Sequence, residues 1–164
     1  MIDHKARDKL AEEIRHFMGC FTDNYKYDDA AFDIDTDDRG VNEVYENIWL
    51  TYDDLRRHKL EGKWALSDEQ KVIFKRAIVF LKSDSEYKWP KWPIYYRIAR
   101  PIIWLLTFGR LCGKFDHHFN GHGDLNAWPF HSCKEFTEAK ETPVYMSKSH
   151  NHQIQPTQKA ARLI

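Results

Sequence analysis

Trp89-Pro90-Lys91-Trp92-Pro93-Ile94-Tyr95-Tyr96-Arg97-Ile98-Ala99-Arg100-Pro101-Ile102-Ile103-Trp104-Leu105-Leu106-Thr107-Phe108-Gly109-Arg110-Leu111-Cys112-Gly113 is where this chain places its largest apolar side chains. That much carbon has to be covered. The cover is the chain's own helices, a second copy or partner protein, or a membrane surface. Trp89, Trp92, Tyr95, Tyr96, Trp104 and Phe108 are the rings that would build an interface core, because aromatic anchors dominate such cores. Pro90 and Pro93 lack a backbone N–H and push the residue before them toward extended backbone, so Trp89 and Trp92 are expected on a stiff elbow. A helix restarts near Ile94. It meets Pro101, which either opens a second helix or kinks a single one. The longest uninterrupted apolar run, 101 to 106, is far below the roughly 20 residues of a membrane-spanning helix. Arginine interleaved with Trp and Tyr suits a membrane interface or stacked nucleic-acid bases. The plainer reading is a core helix with arginines snorkelling at its edge.

Outward from this stretch, the chain reads as helices. Ala6, Leu10, Ile14, Phe17 and Met18 recur at helical spacing from 3 to 18, and Gly19 is a natural stop. The segment from 20 to 38, dense in Tyr, Phe and Asp, is expected to be a loop or short helix. Val41, Val44, Tyr45, Ile48, Trp49, Tyr52 and Leu55 then predict an amphipathic helix over about 37 to 59. Ser67 and Gln70 form a capping box for a helix over 68 to 82. Its apolar positions cover more than half the circumference, which predicts the most buried, central helix. Ser132 and Glu135 repeat the capping signature and introduce a helix to about Lys140. The expected fold is all-α: one compact helical domain of about five helices over 1–146, with an aromatic- and Pro-rich irregular second half. An extended or mobile arm follows over 147–164.

Composition narrows the function classes. The 164 residues include 42% hydrophobic and 15% aromatic, enough to build a packed core without staples. Lys plus Arg and Asp plus Glu number 25 each, so no global field gathers nucleic acid, and no nucleic-acid partner is expected. Cys20, Cys112 and Cys133 are widely spaced and odd in number, which fits free thiols in a cytoplasmic protein. The charged start of the chain has no apolar core of a signal peptide.

Candidate chemistry is sparse. His117, His118 and His122, flanked by Asp116 and Asp124, are residue types that bind a transition metal when they converge. Gly121 and Gly123 argue instead for a loop of solvated histidines. Asp33-Ile34-Asp35-Thr36-Asp37-Asp38-Arg39-Gly40 fails as a calcium loop, lacking glycine at its sixth position and Glu at its twelfth; acidic capping of the next helix explains the same letters. The cysteines read as small buried residues. No phosphate loop, nucleophile elbow or His-Glu-x-x-His occurs. Tyr52, Asp53, Asp54, His58, Asp84 and Glu86 cluster near helix ends as a candidate polar pocket.

Three phrases, Ile48-Trp49-Leu50-Thr51-Tyr52-Asp53-Asp54-Leu55-Arg56-Arg57-His58, Phe80-Leu81-Lys82-Ser83-Asp84-Ser85-Glu86-Tyr87-Lys88-Trp89-Pro90 and Trp128-Pro129-Phe130, resemble a set of small uncharacterised bacterial proteins, a domain of unknown function. The resemblance spans roughly 35 to 145. It implies a bacterial, cytoplasmic, stand-alone domain and carries no named activity. The expected function is non-enzymatic, through a protein partner or a homo-oligomer and without a cofactor. The rivals are a metal-dependent enzyme built on the histidine loop and a membrane-surface protein.

Overall fold

Asp3 starts the first helix: its carboxylate accepts from the Ala6 amide at 3.0 Å, satisfying one of the donors a helix start leaves orphaned. The computed structural model describes residues 1–91, 94–119 and 123–141. The described residues form seven α-helices and two short 3₁₀ turns, with no strand among them. In chain order these are α1 (His4–Met18), α2 (Asn24–Phe32), α3 (Arg39–Trp49), α4 (Asp68–Leu81), α5 (Ile94–Thr107), α6 (Cys112–Phe119) and α7 (Cys133–Glu141). The all-helical class is as expected. The count exceeds five because the segment from 20 to 38 and the second half are more regular than their composition implies.

The body is α1, α2, α3, α4 and α7. α1 packs on α2, α3 and α4, and α4 packs on α7. Leu10, Ala11, Ile14 and Phe17 of α1 are fully buried, whereas Val72 on α4 is exposed. The most buried helix is therefore α1 and not α4, a correction to the expectation from apolar spacing: both pack on three other helices, but α1 buries Ala6, Arg7, Leu10, Ala11, Ile14 and Phe17 while α4 buries only Phe74, Ala77, Phe80 and Leu81. Phe17 stacks on Tyr27 at 4.8 Å and meets Tyr52 edge-on at 5.1 Å. Phe80 meets Phe130 edge-on at 5.3 Å, so the Trp128-Pro129-Phe130 phrase docks on α4 at the ring that also faces Arg7.

The helix expected over 37 to 59 stops at Trp49. Beyond it the chain forms a loop pinned by the buried Asn24. The Asn24 amide donates to the carbonyls of Asp53 and Arg56, both at 2.9 Å, and its oxygen accepts from the His58 amide at 2.9 Å. Four turns of apolar spacing lose to this clamp. Tyr52 turns to the aromatic core, and Leu55 is left exposed.

One buried ion pair joins three elements. The Arg7 Nε donates to Asp38 at 2.6 Å, and its Nη1 donates to the carbonyls of Ser83 and Ser85 at 3.0 and 2.9 Å. Its guanidinium lies 4.9 Å from the Phe80 ring centroid. Asp38 also caps α3 through the Gly40 amide at 2.8 Å. Burial pushes the Asp38 carboxyl upward, but Arg7 and the amides of Asp3 and Gly40 outweigh it and hold the group below the usual carboxylate range. A Cβ at Gly40 would lie 2.8 Å from Phe80 Cε1 and 3.0 Å from Arg7 Nη2, so only glycine lets α3 approach this closely.

Candidate docking surface

Pro101 lies inside α5, which continues as a single helix to Thr107. The principal packing partner of α5 is α6 and not the body. Arg100 grips Asp116 of α6 with two bonds, Nε at 3.0 Å and Nη2 at 3.1 Å, and the Tyr96 hydroxyl donates to the same carboxylate. Burial, then the hydrogen bond to Asp116, pushes the Tyr96 phenol up to about 12, and Arg100 foremost holds Asp116 below its ordinary value. This polar clasp fixes the hairpin.

The turn between the two helices is backbone-driven. Phe108 and Gly109 take left-handed conformations, φ 49° and 81°, and the Gly109 amide returns to the Trp104 carbonyl at 3.1 Å. Glycine at such a helix end is ordinary; a bulky aromatic at positive φ is an outlier. The ring gains nothing from the fold in return, being 88% exposed. Leu106 at 75%, Leu105 at 68% and Trp104 at 59% continue the same surface, joined by Ile102 and Leu111. From Pro101 to Phe108 every exposed residue is apolar, while Ile103 and Thr107 are only partly exposed.

The interface residues expected from sequence thus divide. Trp104 and Phe108 lie on this surface. Trp89 and Tyr96 are buried, contrary to expectation: the Trp89 indole N–H donates to the carbonyls of Pro129 and Phe130 at 3.0 and 3.2 Å, and Tyr96 closes on α6. Trp92 and the Tyr95 ring lie outside the described residues.

The other candidates do not assemble. His117 and His118 fall on α6 and not on the expected loop, though their rings, and His122 altogether, lie outside the described residues. Asp116 is engaged with Arg100, and Asp124 accepts from the Asn126 amide at 2.9 Å and from the Cys133 thiol at 3.0 Å. Among the described residues no group of three His, Cys, Asp or Glu is placed to hold a metal. Cys133 is exposed, not buried as expected, and its bond to Asp124 raises its pKa.

Of the polar pocket, Tyr52, Asp53 and His58 line an open cleft of about 390 Å³ with Trp64 and Gln70. The groups there serve the loop. Nδ1 of His58 donates to the Arg56 carbonyl at 2.7 Å and the ring stacks on Trp64 at 4.4 Å. Asp53 caps the Leu55 amide at 2.8 Å. Burial, then Asp28, drives the Tyr52 phenol far above its ordinary value. Asp54 stands outside the cleft, and Asp84 and Glu86 follow the opposite end of α4, a helix about 21 Å long. Asp84 pairs there with His4 at 3.4 Å.

Sequence reasoning misses the Arg7–Asp38 joint, since nothing local marks two residues 31 apart as partners. The breadth of the exposed surface is visible in Trp104-Leu105-Leu106, where consecutive apolar residues cannot share one helix face. No helix among the described residues is long and apolar enough to cross a membrane. Comparison with protein-family models, curated proteins and solved structures finds no match to this chain.

Proposed function

We propose that this chain works by docking, with the α5–α6 hairpin as its contact surface, and not by chemistry on a bound substrate. One observation carries the reading: Trp104, Leu105, Leu106 and Phe108 stand in solvent together on a clasped, ordered hairpin. Other exposed apolar residues, such as Phe21, Phe32 and Leu55, are scattered over separate segments of the body, as on most protein surfaces. A contiguous patch marks an interaction site. A partner protein, a second copy or a membrane surface would each satisfy it. Three free cysteines support a reducing, cytoplasmic setting.

Hydroxyl-radical footprinting of a dilute, monomeric preparation tests the reading. Trp104 and Phe108 should label as heavily as Phe21, while Phe17 and Phe74 stay protected. Hairpin rings as protected as Phe17 in a strict monomer would remove the docking surface and the reading with it.

A further inference from the structure

The hairpin's occupant is legible in the shape and charge of its apolar surface. At 3.6 residues per turn, Trp104, Leu105 and Leu106 fan over about 200° of the α5 circumference. A helix that packs on a protein partner presents a stripe nearer 100° wide, so one packed neighbour would leave half of these side chains wet. An exposed surface that is apolar over more than half the circumference suits immersion in a continuous apolar medium. Charge separates the remaining choices. Residues 91–119 carry Lys91, Arg97, Arg100, Arg110 and Lys114 against Asp116 alone, in a chain whose total charge is zero. A second copy docked face to face would set the exposed Arg110 and Lys114 against their own counterparts. An anionic surface complements them.

We propose, resting on the docking reading, that the α5–α6 tip inserts into the interface of an anionic lipid bilayer. Trp104, Leu105, Leu106 and Phe108 enter the acyl boundary, and Arg110 and Lys114, both exposed, meet lipid phosphates. α5 has 14 residues, about 21 Å of helix, against a hydrocarbon core of about 30 Å; the hairpin dips into one leaflet. Phe108 in its left-handed position then has a use that the fold alone does not supply.

Flotation of the full chain with phosphatidylcholine vesicles, with and without phosphatidylglycerol, is the test. The protein should float with the anionic vesicles at low salt and be released as salt rises. Phe108→Gly, which places glycine where the backbone already favours it, should keep the melting temperature and weaken partitioning at least about tenfold. Arg110→Gln and Lys114→Gln should each weaken binding to anionic vesicles about fivefold. Protein left at the bottom of the gradient at low salt, or a Phe108→Gly chain that floats as well as the parent, would overturn the proposal. Light scattering without vesicles separates this from the reading it rests on. A dimer that Phe108→Gly dissolves, with no flotation, sinks the lipid occupant and leaves docking in place. A monomer with protected hairpin rings and no flotation sinks both.

Discussion

Phe17, Phe74 and Phe80 in the body are wholly buried, whereas Phe108 on the hairpin is 88% exposed. Both regions are rich in large apolar side chains and differ in closure. In the body, apolar faces from α1, α2, α3 and α4 seal one another, and the charge at its centre, Arg7, is matched by Asp38 and two carbonyls. In the hairpin, the polar groups are clasped while the largest carbon surfaces face out. Folding dictates the residues of the first region. It does not dictate those of the second, where Trp, Leu and Phe stand at exposed positions that polar residues could equally fill, and this is what supports the docking proposal.

The sharpest way to break this contrast is at the centre of the body. Arg7→Ala leaves Asp38 buried and unpaired, which costs about 3–5 kcal/mol, or roughly 6–20 °C in Tm for a chain of this size; thermal unfolding by circular dichroism measures it. The double change Arg7→Met with Asp38→Asn should recover at least half of that loss, because the uncompensated charge is gone. No recovery would mean that the cost is packing on Phe80 instead. The acid limb carries the same signature. The folded Asp38 carboxyl lies below its ordinary value, so its contribution is fully present above the unfolded value near 3.9. It is lost as pH falls through the lower folded value. Asp38→Asn should flatten that part of the stability curve.

Next in size is Leu10→Ala. The parent side chain is wholly buried in α1, and the loss should be about 2–5 kcal/mol. Gly40→Ala ranks below it at about 1–3 kcal/mol, because its Cβ would meet the Phe80 ring at 2.8 Å. Chemical denaturation reads both, and a neutral Gly40→Ala would show that Phe80 yields easily.

How much of this is legible in the sequence depends on which forces are local. The caps are legible: Ser67 with Gln70 closes a full capping box, and Asp38 caps α3 as the acidic run implies. The helix restarting at Ile94 is legible too, since its signals are proline stereochemistry and apolar spacing. The end of α3 is not. Tyr52 and Leu55 keep the helical period, and the force that breaks it is Asn24, roughly thirty residues earlier in the chain. The histidine segment misleads in the opposite direction, since Gly121 and Gly123 lie beyond α6 and leave Cys112–Phe119 free to coil. The six-residue polar pocket fails for a geometric reason: its members belong to both ends of α4, and composition cannot tell one end of a helix from the other. For the hairpin, the sequence reveals the need for cover. Only the fold assigns Trp89 and Tyr96 to the interior and Trp104 and Phe108 to solvent.

The smallest expected effect bears most directly on the contrast. Leu106→Ala removes the same atoms as Leu10→Ala, from a side chain that is 75% exposed. Little transfer free energy is at stake where water already reaches the methyl groups, no cavity is left behind, and alanine is the better helix former. The melting temperature should therefore shift by no more than a change of about 0.5 kcal/mol produces, a small fraction of the loss at Leu10. The measurement is a pair of denaturation curves on otherwise identical chains. Equal losses at the two positions would mean that the hairpin lies against the body in solution, and its apolar surface would then belong to the fold and to no partner.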